Sequence, residues 1–333
     1  MEKQFTTASP VLNKKGHPLP GWASEGIMQY SRKAIRAPFY RIKEWDWYQV
    51  SDSSKALQFT FGHASYAGQV GVMLFDFAKG EHIFTNDKLL ALPFGRLGLE
   101  ESAEAQGILE YDKKDMKMRF ENRGDIHFLY CACPGFEAEV TLVRQNPYSL
   151  AINVPFKENP KAFYYNQKIN CMTALGRAVV NGQEYIFDKD AYGLLDWGRG
   201  VWPFKNEWYW SNATGKLNGE IFGFNLGCGF GDTSSATENG FFYKGQLHKL
   251  GEVQFSLDKQ DYSKPWHFTD EEGRLDLTLQ PVYDRETAIK LLWVDNNTHQ
   301  MFGTFTGHVV LEDGTKLPVN DIVGFAEHAK NQW

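Results

Sequence analysis

The sequence has little of what most readily betrays a function. Its 333 residues include four cysteines, Cys131, Cys133, Cys171 and Cys228, too few for the disulfide framework of a small secreted domain. Cys131-Ala132-Cys133 has no second Cys or His pair nearby to complete a metal site, and its thiols are expected to fill one face of a strand. No run approaches the ~18 apolar residues of a membrane-spanning helix. The opening Met1-Glu2-Lys3-Gln4-Phe5-Thr6-Thr7 has no signal-peptide core, so a cytoplasmic location is expected. Positive charge is scarce: 35 Lys and Arg against 41 Asp and Glu leave a net −6. That gives no basic field for a phosphate backbone, and nucleic acid is not an expected partner. HExxH, Walker, GxSxG and helix-opening GxGxxG motifs are missing. Gly227-Cys228-Gly229-Phe230-Gly231 lies in strand-like surroundings and reads as a bulge or bend. Neither metal nor cofactor is expected.

What the chain does have is aromatic side chains: 25 Phe, 15 Tyr and 10 Trp, 15% of residues, ample material for a large core. Apolar positions alternate in Leu57-Gln58-Phe59-Thr60-Phe61 and in Phe136-Glu137-Ala138-Glu139-Val140-Thr141-Leu142, the period of strands. Turn signals recur at Lys79-Gly80, Asn122-Arg123-Gly124, Asn181-Gly182, Asn239-Gly240 and Asp313-Gly314. Only Asn86–Leu92 and Ser102–Leu109 hint at helix. The expectation is an all-β protein of antiparallel barrels or sandwiches.

The chain also repeats itself. Glu44-Trp45-Asp46-Trp47 recurs as Glu207-Trp208-Tyr209-Trp210, 163 residues later. At the same spacing Phe59 and Phe61 fall on Phe222 and Phe224, Gly68 on Gly231, Arg36 on Arg199, and Ile126–Tyr130 on Ile289–Trp293. Coincident Trp pairs in one ungapped register indicate two tandem copies of a β unit. The resulting division is a loosely ordered arm at 1–30, a first barrel at 31–175 and a second at 176–333. Residues found in both copies are expected to serve closure, with an Arg–Glu pair sealing each barrel over a Trp. Trp45/Trp47 and Trp208/Trp210 each present two indoles to one side of a strand.

Residues of the second copy that the first lacks are the site candidates. In the self-comparison Asp196 faces Lys33, Asp232 faces Gln69 and Glu238 faces Phe75. With Glu207 they place four carboxylates among aromatic residues. A carboxyl held against indoles is disfavoured in its charged form and donates a proton near neutrality. A second, solvated or Arg-paired carboxylate accepts one. Arg199 would keep such a partner charged or bind an anionic ligand group. Trp202, Trp208 and Trp210, with His63 and Tyr66 of the first copy, are the expected ligand contacts, and His328 is a weaker candidate base.

The stretches Ser31-Arg32-Lys33, Glu44–Tyr48, Asp196–Pro203, Glu207–Trp210, Gly231-Asp232, Ala236–Asn239 and the closing Gly-Phe-Ala-Glu-His together resemble a bacterial family known only as a domain of unknown function. The likeness runs nearly end to end. That family is similar to the tandem lipocalin-like proteins, among them AttH-like proteins, carotenoid hydratases and some natural-product cyclases. The resemblance implies two calycin-type barrels with a ligand cleft in or between them, and an acid, Asp196 or Asp232, that protonates an alkene. Three functions remain open at this level. One is a cofactor-independent hydratase, isomerase or cyclase for a small apolar or terpenoid-like molecule. The others are a binding protein for such a ligand and a carbohydrate-active enzyme with paired carboxylates and stacking Trp.

Overall fold

The computed structural model describes residues 2–291 and 294–332; Leu292 and Trp293, part of the second aromatic coincidence, lie outside them. The described residues form strands and three short 3-10 turns, with no α-helix. Three short strands lie in the N-terminal arm: β1 (Ser9–Pro10), β2 (Gly21–Ala23) and β3 (Met28–Gln29). Then come β4 (Ile42–Ser51), β5 (Lys55–His63), β6 (Ala67–Asp76), β7 (Glu81–Ala91), β8 (Gly107–Lys113), β9 (Met116–Asn122), β10 (Ile126–Cys133) and β11 (Phe136–Val143). The middle of the chain holds β12 (Leu150–Phe156), β13 (Asn159–Val180), β14 (Gln183–Phe187) and β15 (Tyr192–Val201). The remainder is β16 (Lys205–Leu217), β17 (Glu220–Cys228), β18 (Gly240–Tyr243), β19 (Gln246–Lys249), β20 (Val253–Ser256), β21 (Trp266–Asp270), β22 (Leu275–Leu291), β23 (Val294–Val310) and β24 (Lys316–Gln332).

These strands make two curled antiparallel half-barrels. The main path of the first runs β7-β6-β5-β4-β15-β13-β11-β10-β9-β8, and the second runs β19-β18-β17-β16-β24-β23-β22-β21-β20. The paths match outward from the Trp strands, the first being one strand longer at its far end: β4, carrying the first Trp pair, corresponds to β16, carrying the second, and the closing strand β15 corresponds to β24. The fold is thus the expected doubled all-β architecture. Sheet membership changes between Val201 and Lys205, later than the 175/176 division read from the repeat, because β15 returns to pair with β4 along its whole length.

Several local expectations give way to long-range pairing. Asn86–Ala91 contains good helix formers, yet it extends along β6, and tertiary pairing outweighs the weak local propensity. Ser102–Leu109 is a turn running into β8. Asn239-Gly240 makes no hairpin: the Asn239 amide is buried, accepting from Gly227 N at 2.6 Å and donating to Gly251 O at 2.8 Å. Asn181-Gly182 does turn between β13 and β14, with φ of 49° and 87°, the left-handed pair of a type I′ hairpin. The arm is packed rather than loose. Val11, Met28 and Tyr30 are buried, β2 adds to β12, and Asn153 Nδ2 donates to the carbonyls of Val11 and Leu19 at 2.8 Å.

Strand alternation sorts side chains into three layers. Phe59, Phe61, Leu74, Leu142 and Trp197 fill the first half-barrel, and Phe222, Phe224, Trp266 and Phe305 fill the second. The opposite strand faces meet back to back, where Phe75, Phe302, Phe325, Leu194 and Trp210 form a core between the sheets, packed by Trp47 and Trp208.

Candidate functional site

The middle layer also carries the polar chemistry, and it carries it twice. On β15, Asp196 lies directly across from Trp47 of β4; on β24, Glu327 lies directly across from Trp210 of β16. Trp45 Nε1 donates to Asp196 Oδ2 at 2.9 Å, and Trp208 Nε1 donates to Glu327 Oε1 at 2.8 Å. The next strand supplies a second donor to each acid. Lys168 of β13 reaches Asp196 Oδ1 at 2.6 Å, and Gln300 of β23 reaches Glu327 Oε2 at 3.0 Å. Asp196 and Glu327 are therefore counterparts, each clasped by an indole and a side chain from the neighbouring strand. The pairing of Asp196 with Lys33 in the ungapped comparison is overturned, because Asp196 belongs to the first sheet. Arg36 and Arg199 are likewise not counterparts: one precedes β4, the other lies within β15.

The copies differ in the second donor, a lysine in one and a neutral amide in the other. Lys168 is buried and ion-paired to Asp196, with Glu238 Oε2 at 3.6 Å and its Nζ 4.1 Å from the Trp210 ring. Burial pushes the Glu327 carboxyl above its ordinary range against the opposing pull of the Trp208 hydrogen bond and of Arg285. Burial does the same to Glu238, and Lys168 only partly offsets it. Asn166 completes the Asp196 shell with a 2.6 Å hydrogen bond. Two glycines make the space. A Cβ on Gly198 would strike the Trp45 ring, and one on Gly227 would strike the Glu238 carboxyl.

Of the four expected acids, then, Asp196 and Glu238 converge on Lys168; Glu207 and Asp232 do not join them. Asp232 caps the 3-10 turn at Thr233–Ser235, accepting from Ser234 N at 3.2 Å, with Lys157 at 3.5 Å. Glu207 faces the second half-barrel. Burial pushes its carboxyl up, but hydrogen bonds from His328, Tyr209 and Lys259 outweigh this and hold it at about 2. Because an ionised Glu207 only accepts, His328 Nε2 donates to it at 2.7 Å, and His328 Nδ1 accepts from the Tyr262 hydroxyl at 2.8 Å. Beside this chain is an open depression of about 610 Å3 lined by Lys205, Asn206, Glu207, Asp295, Asn297 and Lys330.

The expected ligand contacts are dispersed. Arg199 is fully buried in the first half-barrel, paired with Asp46 at 2.8 Å and lying 3.8 Å from the Trp197 ring centroid. The seal imagined as Arg–Glu is in fact Arg199–Asp46, while Glu44 pairs with Arg32 and accepts from Tyr30. His63, beside Glu44, has Ser65 N within reach of Nδ1 and Gly95 N within reach of Nε2, of which the neutral ring accepts from one, and burial lowers it to about 4. Tyr66 accepts from Lys43 at 3.0 Å. Trp202 packs on Trp45, Tyr164 and Phe230, next to the site. Trp208 and Trp210 line the middle layer. Lys168, Gln300 and Glu327 were not singled out from sequence. Glu327 stood inside the quoted Gly-Phe-Ala-Glu-His, and strand alternation from Phe325 would have placed both on one face. Among the described residues no group of three or more His, Cys, Asp or Glu is placed to hold a metal, and no helix is long and apolar enough to cross a membrane.

Two solved structures share this architecture, both tandem lipocalin-like proteins. Kievitone hydratase from Nectria haematococca superimposes with a TM-score of 0.55 at 10% identity, covering 87% of this chain and 88% of the other. A putative AttH from Nitrosomonas europaea gives 0.53 at 12% identity, covering 90% and 96%. At such identities the likeness shows the fold alone. None of the curated proteins matches the sequence. A family model does match, over residues 2–333, and the chain belongs to that family, the domain of unknown function DUF2804.

Proposed function

We propose that the protein is an acid–base enzyme of the hydratase type, acting on a small unsaturated, largely apolar molecule bound between the two sheets. Glu327 is the proton donor and Asp196, ion-paired to Lys168, the acceptor. Glu327 delivers its proton to an alkene carbon. The cationic centre that develops beside it is stabilised by the indole faces of the layer. Water then adds to that centre and gives up a proton to Asp196, which returns it to Glu327 through solvent. Isomerisation or cyclisation follows from the same protonation when another group captures the cation first.

The observation that carries this reading is the difference between the two copies. The same Trp–carboxyl pair is built once beside an ammonium and once beside an amide, and burial pushes the acid beside the amide, Glu327, upward, as a general acid requires. The side chains of Asp196 and Glu238 each keep 11% of their surface exposed, which supports a route for solvent to the acids. Asn166 Oδ1 and Asn170 Nδ2 are buried without a hydrogen-bond partner, capacity that a water or substrate hydroxyl would satisfy. The four cysteines are free, which suits a reducing, cytoplasmic setting.

The test is incubation with kievitone and with simple terpenoid alkenes in water enriched in heavy oxygen. The expected product is one water heavier and carries the label, and Glu327→Gln lowers its rate on the order of a hundredfold or more. A binding protein is the second reading, favoured by the tightly satisfied hydrogen bonding around Asp196. A molecule retained through purification and returned unlabelled would replace the first reading with it.

A further inference from the structure

Glu44 and Glu207 occupy the same place in the two repeats, and a tyrosine hydroxyl is directed at each. In the first copy the contact is direct: Tyr30 Oη donates to Glu44 Oε1 at 2.8 Å, Arg32 pairs with the same acid, and Tyr30 and Glu44 are both buried. Trp197 of β15 stands edge-on to the Tyr30 ring, the centroids 6.3 Å apart. Because Asp196 and Glu327 are counterparts, the residue in the place of Trp197 in the second copy is His328. Its imidazole lies between hydroxyl and acid. Tyr262, from the segment joining β20 to β21, donates to His328 Nδ1 at 2.8 Å, and His328 Nε2 donates to Glu207 Oε1 at 2.7 Å. Neighbouring rings fix both partners. Tyr209 stacks on His328 at 4.4 Å and 8°. His299, held by Asp284 at 2.7 Å, stacks on Tyr262 at 4.1 Å and 15°. His328 points to the opposite face of its strand from Glu327, so this cluster is separate from the layer between the sheets. Tyr262 is half-buried, and Glu207 lines the open depression at the strand ends.

A hydroxyl in hydrogen-bond reach of a base that a carboxylate orients is the arrangement of an activated nucleophile. We propose that Tyr262 is an acyl-accepting nucleophile for short-chain carboxylic esters, with His328 as its general base and Glu207 as the positioning residue. Tyr262 Oη attacks the ester carbonyl carbon as its proton passes to His328 Nδ1. The bond to the alcohol oxygen breaks, and the alcohol leaves with that proton. Water then attacks the carbonyl of the acyl-tyrosine, and its proton passes through His328 Nδ1 to the departing tyrosine oxygen. Ester and water become acid and alcohol, and no oxidant or reductant enters.

The local electrostatics agree. Burial lowers His328 against the pull of Glu207, so the ring is neutral and able to accept. Burial raises Tyr262, with Lys259 partly offsetting it, so the hydroxyl keeps its proton until His328 takes it during attack. The Lys259 ammonium, 3.3 Å from Glu207, brings positive charge to the cluster in which the oxyanion develops. The first copy, with an indole where the base would stand, has the same hydroxyl and acid without the relay.

The experiment treats the folded full-length chain with p-nitrophenyl acetate, follows p-nitrophenol release and maps the acetylated residues by mass spectrometry. Tyr262 is expected to gain the acetyl group at least about tenfold faster than Tyr40, although Tyr40 is 50% exposed. Tyr262→Phe keeps the stacked ring, removes only the hydroxyl and should lower release on the order of tenfold or more; His328→Gln should do the same. Glu207→Gln should lower kcat on the order of tenfold or more with KM little changed, a split that a merely structural role would not give. If circular dichroism shows His328→Gln unfolded, Tyr262→Phe carries the test. Equal acetylation of Tyr40 and Tyr262, or release undiminished in Tyr262→Phe or in folded His328→Gln, overturns the proposal. An unchanged kcat in Glu207→Gln overturns the role of Glu207.

Discussion

Trp47 and Trp210, residues at the same position of the two repeats, touch each other, their ring centroids 5.5 Å apart and their planes at 70°. A residue meets its own counterpart only near a local two-fold axis. The duplicated halves therefore pack through one shared face, β4 and β16 lie beside the axis, and the matched acids Asp196 and Glu327 are brought into one layer.

The contact is expected to hold the halves together. Trp210→Ala removes a buried ring, its hydrogen bond to Asn225 and the surface under Lys168, and should cost about 3–5 kcal/mol. A double-mutant cycle with Trp47→Ala, read by chemical denaturation, should give a coupling of about 0.5–1.5 kcal/mol. Strict additivity would mean that the rings do not support each other.

Lys168 stands between two carboxyls, so its removal leaves charge unpaired in the layer. Lys168→Met is expected to destabilise the protein by about 3–5 kcal/mol. Adding Asp196→Asn should restore part of that loss, because the acid left without its cation is then neutral. A double variant less stable than the single would contradict the pairing.

Gly198→Ala tests whether the indole is positioned by the empty space across from it. The added methyl displaces Trp45 and breaks its bond to Asp196. The near-ultraviolet circular dichroism should lose tryptophan signal while the far-ultraviolet strand signal persists. Alanine at Thr60, opposite Trp47 on β5, should leave both spectra unchanged.

Stability should fall on both sides of an optimum in pH. Burial lowers His63 and His127 from 6.5 to about 4, so between those values the unfolded chain binds protons that the fold refuses. Their contribution is full above about 6.5 and drains away as the pH drops towards 4. Glu238 and Glu327 act in the opposite sense. Raised above 4.5, they hold protons that the unfolded chain has released, so stability declines as the pH rises through that upper window. Thermal melts should show Glu327→Gln flattening the upper limb and His127→Gln flattening the lower; unchanged limbs would contradict the assignments.

Much of the architecture was legible because strands announce themselves by alternation and tryptophan is rare. Leu57–Phe61 and Phe136–Leu142 are strands as expected, and the Trp45/Trp47 and Trp208/Trp210 coincidence marks a true repeat. The alternation even placed both indoles of a pair on one side, but it could not say that this side is the seam between the sheets and not a barrel lumen. What sequence could not supply is closure. Asp196 reaches β4 through a pairing between residues some 150 apart in sequence, and the two copies reach their closing strands after different lengths of chain, so the counterparts Asp196 and Glu327 share no fixed spacing with the tryptophans. Glu207 and Asp232 were drawn in by proximity in sequence, although Glu207 points to the opposite face of its strand from Trp208 and Trp210.

Infrared spectroscopy of the folded protein at neutral pH, comparing wild type with Glu327→Gln, reads the central claim without a substrate. A protonated carboxyl stretch should be present in the wild type and should lose one component in the variant. A wild-type spectrum holding only ionised carboxylates, or one that the substitution leaves unaltered, would contradict a proton held ready at the junction of the two sheets.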